Sequence, residues 1–379
     1  MKILYLFRSL AIYGGIERIL VDKMNYLSSV YGYNVWMITT DQSDHAIPYN
    51  LHKDVKVEDL GICFYRKYNY NIIRRIWVSN MMKRKYRDRL HRRILEINPD
   101  VIVCTTADDI NSIVSVKGTI PLVVESHSVY SRTIENGKYW LLKKYRKHVF
   151  LKSLSYVNCI VSLTESDAVE WRKVHPKVIV IPNFLFVSGN ERSLLNNKSA
   201  IFVGRLDYQK DPLTVIRIWS MIRRHKNDWI LHVYGEGDME NEVKKLAEEV
   251  GGIIVHKPTD KIWKCYAECS MLLSTSLFEP FGLVLIEAMS CGLPVVAFDC
   301  PYGPSTIISD GINGFLVPQN DIDMYVDKVS LLMGAFEKRQ MMGEAGRNSI
   351  YRYTPSSIMP RWKALFEGLL YKKSDLILD

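Results

Sequence analysis

The stretch Met271-Leu-Leu-Ser-Thr-Ser-Leu-Phe-Glu279-Pro-Phe-Gly-Leu-Val-Leu-Ile-Glu287-Ala-Met289 decides the fold. Its apolar run from Met271 to Thr275 predicts a buried strand, Phe281-Gly282 a turn, and Leu283 to Met289 an apolar helix. A strand, a glycine turn and a helix N-terminus in that order make an anion site. The first-turn amides converge on one spot, and the helix dipole adds positive potential there. Glu279 and Glu287 flank this turn. Carboxylates suit the hydroxyl-rich ends of a nucleotide sugar, where hydrogen-bond acceptors are wanted. Spacing alone leaves equal room for a surface Glu in a loop and a helix-face Glu with no ligand.

Outward from this stretch, short β-branched runs alternate with helical patterns. Strands are predicted at Ile3 to Phe7, Asn34 to Thr39, Val55 to Leu60, Val101 to Thr105, Leu122 to Glu125, Cys159 to Leu163 and Val178 to Ile181. A polar stretch from Ser188 to Ser199 reads as a linker. Strands resume at Ser199 to Val203, Ile230 to Tyr234, Ile253 to Val255, Met271 to Thr275, Pro294 to Phe298 and Gly314 to Val317. Helical patterns between them include Glu17 to Ser29, Lys83 to Ile97, Glu165 to Lys173, Pro212 to His225 and Met239 to Val250. Apolar runs separated by helices indicate α/β domains with parallel sheets covered on both faces. The predicted division is 1–187, 188–350 and a C-terminal helical segment, 351–379, that crosses back to the first domain.

Five segments in order carry a resemblance to a family: Gly14-Gly15-Ile-Glu-Arg18, Phe202-Val-Gly-Arg205-Leu-Asp-Tyr-Gln-Lys210, the Glu279 to Glu287 run, Cys291-Gly-Leu-Pro-Val-Val-Ala, and Asp310-Gly-Ile-Asn-Gly. The chain resembles the retaining glycosyltransferases of family 4, also called glycosyl transferases group 1. The resemblance implies the GT-B fold, two Rossmann-like parallel-sheet domains facing across a cleft. It implies an acceptor-binding first domain and a nucleotide-sugar-binding second domain. Arg205 and Lys210 would stabilise the leaving phosphate, Glu279 would hold the donor sugar, and Glu287 the ribose hydroxyls. Gly204, Gly282 and Leu283 would approach the donor through backbone, Phe281 would also bind the donor, and the Gly15 loop would meet the donor phosphates or the acceptor. His127, just past a strand end, would hydrogen-bond the sugar or developing charge. Thr306 stands where many relatives carry an acidic residue, and Tyr302 and Pro304 flank Gly303 where others have a Gly-Gly pair. Thr164-Glu165-Ser166 reads as a helix cap and Asp310 to Gly314 as turn chemistry.

Composition bounds the rest. A chain of 379 residues accommodates two domains with their own cores. No run of about 18 apolar residues occurs, so no transmembrane helix is predicted. The start, Met1 to Arg8, reads as a buried strand and not as a signal peptide. The seven cysteines lack framework or zinc spacing, and buried reduced thiols are expected. Residues 1–190 hold 28 Lys and Arg against 17 Asp and Glu, a net of +11, and the remainder nets −2. The excess lies in segments 66–93 and 138–152, where Ile72, Ile73, Ile76, Trp77, Trp140 and Leu141 are interleaved with the cations. Such segments suit an anionic membrane surface, with a plain solvated face as the alternative. No nucleic-acid motif accompanies them, so no nucleic-acid partner is expected.

The reading is a hexosyltransferase, retaining and metal-independent, with no cofactor beyond its nucleotide-sugar co-substrate, UDP-sugar favoured. Its acceptor would be a glycan or lipid-linked hydroxyl in cell-surface polysaccharide synthesis, and its place the cytoplasmic side, peripheral at the inner membrane face. The alternatives are a sugar-nucleotide epimerase of the same fold or an inactive glycan- or nucleotide-sugar-binding protein.

Overall fold

All thirteen predicted strands form, with ends shifted by no more than one residue; most are apolar runs buried on both faces of a parallel sheet, while the edge strand Lys56–Asp59 is polar and unburied. In the computed structural model, residues 1–106, 108–135, 140–186 and 191–374 are described. The first sheet contains β1 (Lys2–Phe7), β2 (Asn34–Thr39), β3 (Lys56–Asp59), β4 (Val101–Thr105), β5 (Leu122–Ser126), β6 (Cys159–Ser162) and β7 (Val178–Val180). Its order is β3-β2-β1-β4-β5-β6-β7. The second contains β8 (Ser199–Val203), β9 (Ile230–Tyr234), β10 (Ile253–His256), β11 (Leu272–Ser274), β12 (Val295–Phe298) and β13 (Gly314–Val317), in the order β10-β9-β8-β11-β12-β13. Every strand pairing among the described residues is parallel.

Both orders reverse direction once, between β1 and β4 in the first sheet and between β8 and β11 in the second. At such a point the connections leave to opposite sides and open a crevice beyond the carboxyl ends of the strands, where open α/β sheets take ligands. Each sheet therefore has one place that the topology reserves for a site.

The chain divides into two units, Met1–Ile181 with Met359–Asp379, and Pro182–Ile358. The divisions fall earlier and later than 187/188 and 350/351. The first unit ends with Ile181, whose N–H still donates to Ser162 at 3.0 Å, while Leu185 already donates to the Tyr353 carbonyl at 2.8 Å. Residues 351–358 stay with the second unit because Arg352 and the Tyr353 hydroxyl both donate to the Thr306 carbonyl, each at 3.1 Å. Of the expected linker, residues 188–190 lie outside the described residues, as do Lys138 and Tyr139 of the second basic segment and the side chains of 134–143, 145 and 146.

One helix departs from its predicted span. It runs Ile72–Ile97, starting where the Asn71 side chain accepts from the Arg74 N–H at 3.0 Å. Its buried stripe of Val78, Tyr86, Leu90, Ile94 and Ile97 has only one member in the first three turns. Apolar periodicity therefore marks the second half alone. Beyond the last strand, the helices Ile322–Gly334 and Phe336–Ser349 belong to the second unit.

Candidate functional site

In the second unit the switch point brings together residues 69 positions apart. After β8 the chain turns through Gly204 to Lys210. Asp207 shapes this turn: its carboxylate accepts from the Lys210 N–H at 3.1 Å and lies 3.2 Å from the Arg205 guanidinium. The loop after β11 is stitched to it, since Leu277 donates to the Gln209 carbonyl at 2.8 Å and the Gln209 amide to Phe278 at 3.2 Å. Across this seam the Lys210 ammonium is ion-paired and hydrogen-bonded to the Glu279 carboxylate. Ser276 adds a hydroxyl donor to the same oxygen at 3.3 Å. Arg205 stays exposed, with Gln209 accepting from it at 3.1 Å.

Backbone economy explains the glycines. A β-carbon on Gly204 would lie 3.1 Å from the Lys210 stem, and one on Gly235 would lie 1.9 Å from the Gly204 carbonyl oxygen. Gly282 caps the helix Leu283–Ser290 at φ 104, a left-handed conformation that any side chain strains. The Glu279 carbonyl accepts from Tyr302 at 3.0 Å and from Gly303 at 2.8 Å. A β-carbon on Gly303 would sit 2.0 Å from the Phe281 oxygen, so this position tolerates only glycine. Phe281 is buried edge-on against Tyr353, with centroids 5.3 Å apart. Glu287 is buried on the same short helix and accepts from the Tyr266 hydroxyl at 3.0 Å. Cys300 lies close enough to feel Glu279 and Lys210, but burial pushes its thiol up to about 12, so it is no nucleophile at neutral pH.

In the first unit a pocket of about 370 Å³ opens at the other switch point, lined among others by Arg8 after β1, Asp41 after β2, Thr105 of β4 and His127 after β5. Ile16 and Glu17 close it from the helix Gly15–Ser29, which Gly14 caps in extended conformation. The Tyr49 hydroxyl ties this corner down by donating to the Gly14 carbonyl at 2.9 Å. Burial, then Glu17, pushes the Tyr49 phenol up to about 12, which keeps it a donor. The His127 ring is buried, its Nε2 3.0 Å from a Glu125 carboxylate oxygen that also holds the Lys23 ammonium.

The structure thus gathers Gly204, Arg205, Lys210, Glu279, Phe281, Gly282 and Leu283 around one switch point, with Glu287 at its helix. It sets His127 and the helix opened by Gly15 at the other. Sequence reasoning missed Tyr266, Gln209 and Gly235, whose partners are distant in the chain, and Asp207 and Ser276, whose partners lie two or three residues away. It also missed Lys23 and Glu125. Thr164 caps its helix by accepting from the Asp167 N–H at 3.3 Å, and Asn313 locks its turn by accepting from Ser309 at 2.7 Å.

Two parallel-sheet domains, each with polar residues at its switch point, define a GT-B chain. A family described as Glycosyltransferase Family 4 matches residues 13–188, and one described as Glycosyl transferases group 1 matches residues 189–349. The chain belongs to this glycosyltransferase family. It is 28% identical over 232 residues to the poly(ribitol-phosphate) alpha-N-acetylglucosaminyltransferase of Staphylococcus aureus, covering 60% of this chain and 47% of that one. The chain spans less than two thirds of the length of the first curated relatives it matches. In fold it is similar to S. aureus TarM, with TM-score 0.77, 16% identity and coverage of 96% and 98%. It is likewise similar to sucrose-phosphate synthase of Thermosynechococcus elongatus, with TM-score 0.80, 16% identity and coverage of 98% and 99%.

Proposed function

We propose that the chain transfers a hexose, with retention, from a UDP-sugar to a hydroxyl of a glycan or lipid-linked acceptor in cell-surface polysaccharide synthesis. The observation that carries this reading is the Lys210–Glu279 pair at the switch point of the second sheet. Cleaving a sugar–diphosphate bond leaves charge on the departing phosphate, and fixed cations there stabilise the transition state. Lys210 and Arg205 supply that charge, so the reaction needs no divalent metal. Glu279 accepts from a sugar hydroxyl while keeping Lys210 in place, and Glu287 accepts from the ribose. The acceptor oxygen bonds to the anomeric carbon on the face from which the diphosphate departs. The anomeric C–O bond breaks, and the acceptor's proton passes to the leaving phosphate oxygen. His127 hydrogen-bonds the sugar under transfer.

The S. aureus relative is named for an alpha linkage, and a solved structure of TarM holds UDP. The alpha linkage supports retention from an alpha-linked donor, and the bound UDP supports the choice of a UDP-sugar.

The same reading places the chain at an anionic membrane face. No helix of the described residues is long and apolar enough to cross a bilayer. The helix Ile72–Ile97 instead projects Ile72, Ile73, Ile76, Trp77 and Met81 from its first turns, Ile73 being 83% and Trp77 66% exposed. Arg74 and Arg75 stand between them, stacked on Tyr70 and Tyr68 with centroid distances of 4.9 and 5.1 Å. Apolar side chains interleaved with arginine match the boundary between headgroups and acyl chains. Farther along, Lys83 pairs with Asp109 at 3.1 Å and Arg93 with Glu58 at 2.6 Å, so those cations serve their own domain.

The test is turnover of UDP- and GDP-sugars with and without a lipid-linked acceptor, read as released nucleotide, with EDTA in parallel. Acceptor-dependent UDP release that persists in EDTA is the expected result. Epimerised donor without acceptor dependence, or no turnover of any donor, overturns it.

A further inference from the structure

Behind His127 in the first-domain pocket lies an ion pair, Lys23 and Glu125, that transfer chemistry, as described, does not use. Lys23, Glu125 and His127 are all buried, and Lys23 and Glu125 are each only 2% exposed. Lys23 sits mid-helix in Gly15–Ser29, and Glu125 is the fourth residue of the interior strand β5. One Glu125 oxygen, Oε2, accepts from both the Lys23 ammonium and His127 Nε2. The other, Oε1, has no hydrogen-bond partner among the described residues. The Trp362 ring of the last helix covers Lys23 at 3.9 Å, and the Tyr5 ring of β1 lies 5.9 Å away.

Such an arrangement is costly. A buried ion pair rarely repays its desolvation, and an unpaired carboxylate oxygen adds to the cost. A purely structural need would be met better by apolar side chains of similar volume. Burial alone pushes the Glu125 carboxyl up, yet Lys23 and His127 more than offset this and hold it well below the ordinary range. Glu125 is therefore an anion that only accepts. The imidazole nitrogen facing it must carry a proton, and in the neutral ring Nδ1 is then the acceptor.

We propose that Glu125 and Lys23 are positioning residues for His127: a buried ion pair that fixes its tautomer, with Nε2 donating inward and Nδ1 accepting from a hydroxyl in the pocket. The inference rests on the reading that His127 meets the transferred sugar. Lys23 has its own task in this device. Its ammonium shares the Glu125 oxygen that faces the ring and balances the carboxylate's charge there. Other groups in reach are Tyr5 on β1 and Cys104 on β4, both buried and pushed up chiefly by burial and secondarily by carboxylates, so both stay neutral. Arg8, Glu17 and Asp41 face the same pocket.

The two halves of the pair predict opposite effects. With Lys23→Met the carboxylate stands alone, and the acid limb of the kcat profile should move up by about one pH unit. With Glu125→Gln the ammonium is left uncompensated beside the ring, so the limb should move down, and kcat should fall about tenfold with donor KM within about twofold. Glu125→Asp, which keeps the charge, should recover part of kcat. His127→Ala should cost about 10² in kcat. If His127→Ala lowers turnover but folded Lys23→Met and Glu125→Gln variants keep the wild-type pH profile, the positioning role is wrong and the role of His127 stands. If His127→Ala turns over normally, the reading of His127 itself fails. The wild-type chain gives a readout independent of any variant. Ring ¹⁵N shifts of His127 should show the Nε2–H tautomer, and an Nδ1–H tautomer overturns the proposal.

Discussion

Both domains place a Lys–Glu pair beside their switch points, and the two pairs differ in what surrounds them. Lys23 and Glu125 are sealed, with side chains 2% and 2% exposed. Lys210 and Glu279 are 13% and 11% exposed and share their site with an exposed arginine. A sealed pair meets ligands only through a neighbour, here His127. An open pair can exchange its partner for a substrate group. On the proposed reading the same residue types serve support in one domain and chemistry in the other, and burial separates the roles.

Substitutions in matching positions break this comparison apart. The largest effect falls on the sealed pair: Lys23→Met strands a buried carboxylate and should cost about 3–5 kcal/mol of stability in urea unfolding. Lys210→Met should cost about 1 kcal/mol or less in the same measurement, since solvent and Ser276 can serve Glu279. Equal losses would erase the distinction. Lys210→Ala should instead cut turnover by about 10²–10³ in a folded protein, the effect of losing one fixed donor to a developing anion. Near-normal turnover removes the phosphate role. The last test concerns neither pair. Exchanging Ile73 and Trp77 for Ser should weaken sedimentation with phosphatidylserine vesicles about tenfold or more, leaving donor KM unchanged. Unaltered binding removes the first turns of that helix from the membrane contact.

The sheets were legible because a parallel strand buried on both faces writes itself as an unbroken apolar run. The start of the Ile72–Ile97 helix was not, since Ile72, Ile73, Ile76 and Trp77 point to solvent and obscure the period. Lys210 and Glu279 were nameable one at a time. Their ion pair belongs to tertiary structure, because only the order of β8 and β11 brings loops 69 residues apart into contact. A weaker signal announces the sealed pair. Lys23 stands among buried Leu20, Met24 and Leu27 on one helix, and Glu125 interrupts the run Leu122-Val-Val. Two charges of opposite sign at core positions of different elements are a hint that they meet.

Trp362, which covers Lys23, lies in a segment that rejoins the first unit after the whole of Pro182–Ile358. On the ribosome the first sheet emerges complete, but its lysine has no lid. Those 177 intervening residues take about 10 to 35 seconds to make at usual elongation rates. Throughout that interval the nascent first domain carries an unroofed charge, and the covering of Lys23 waits until Trp362 has been made.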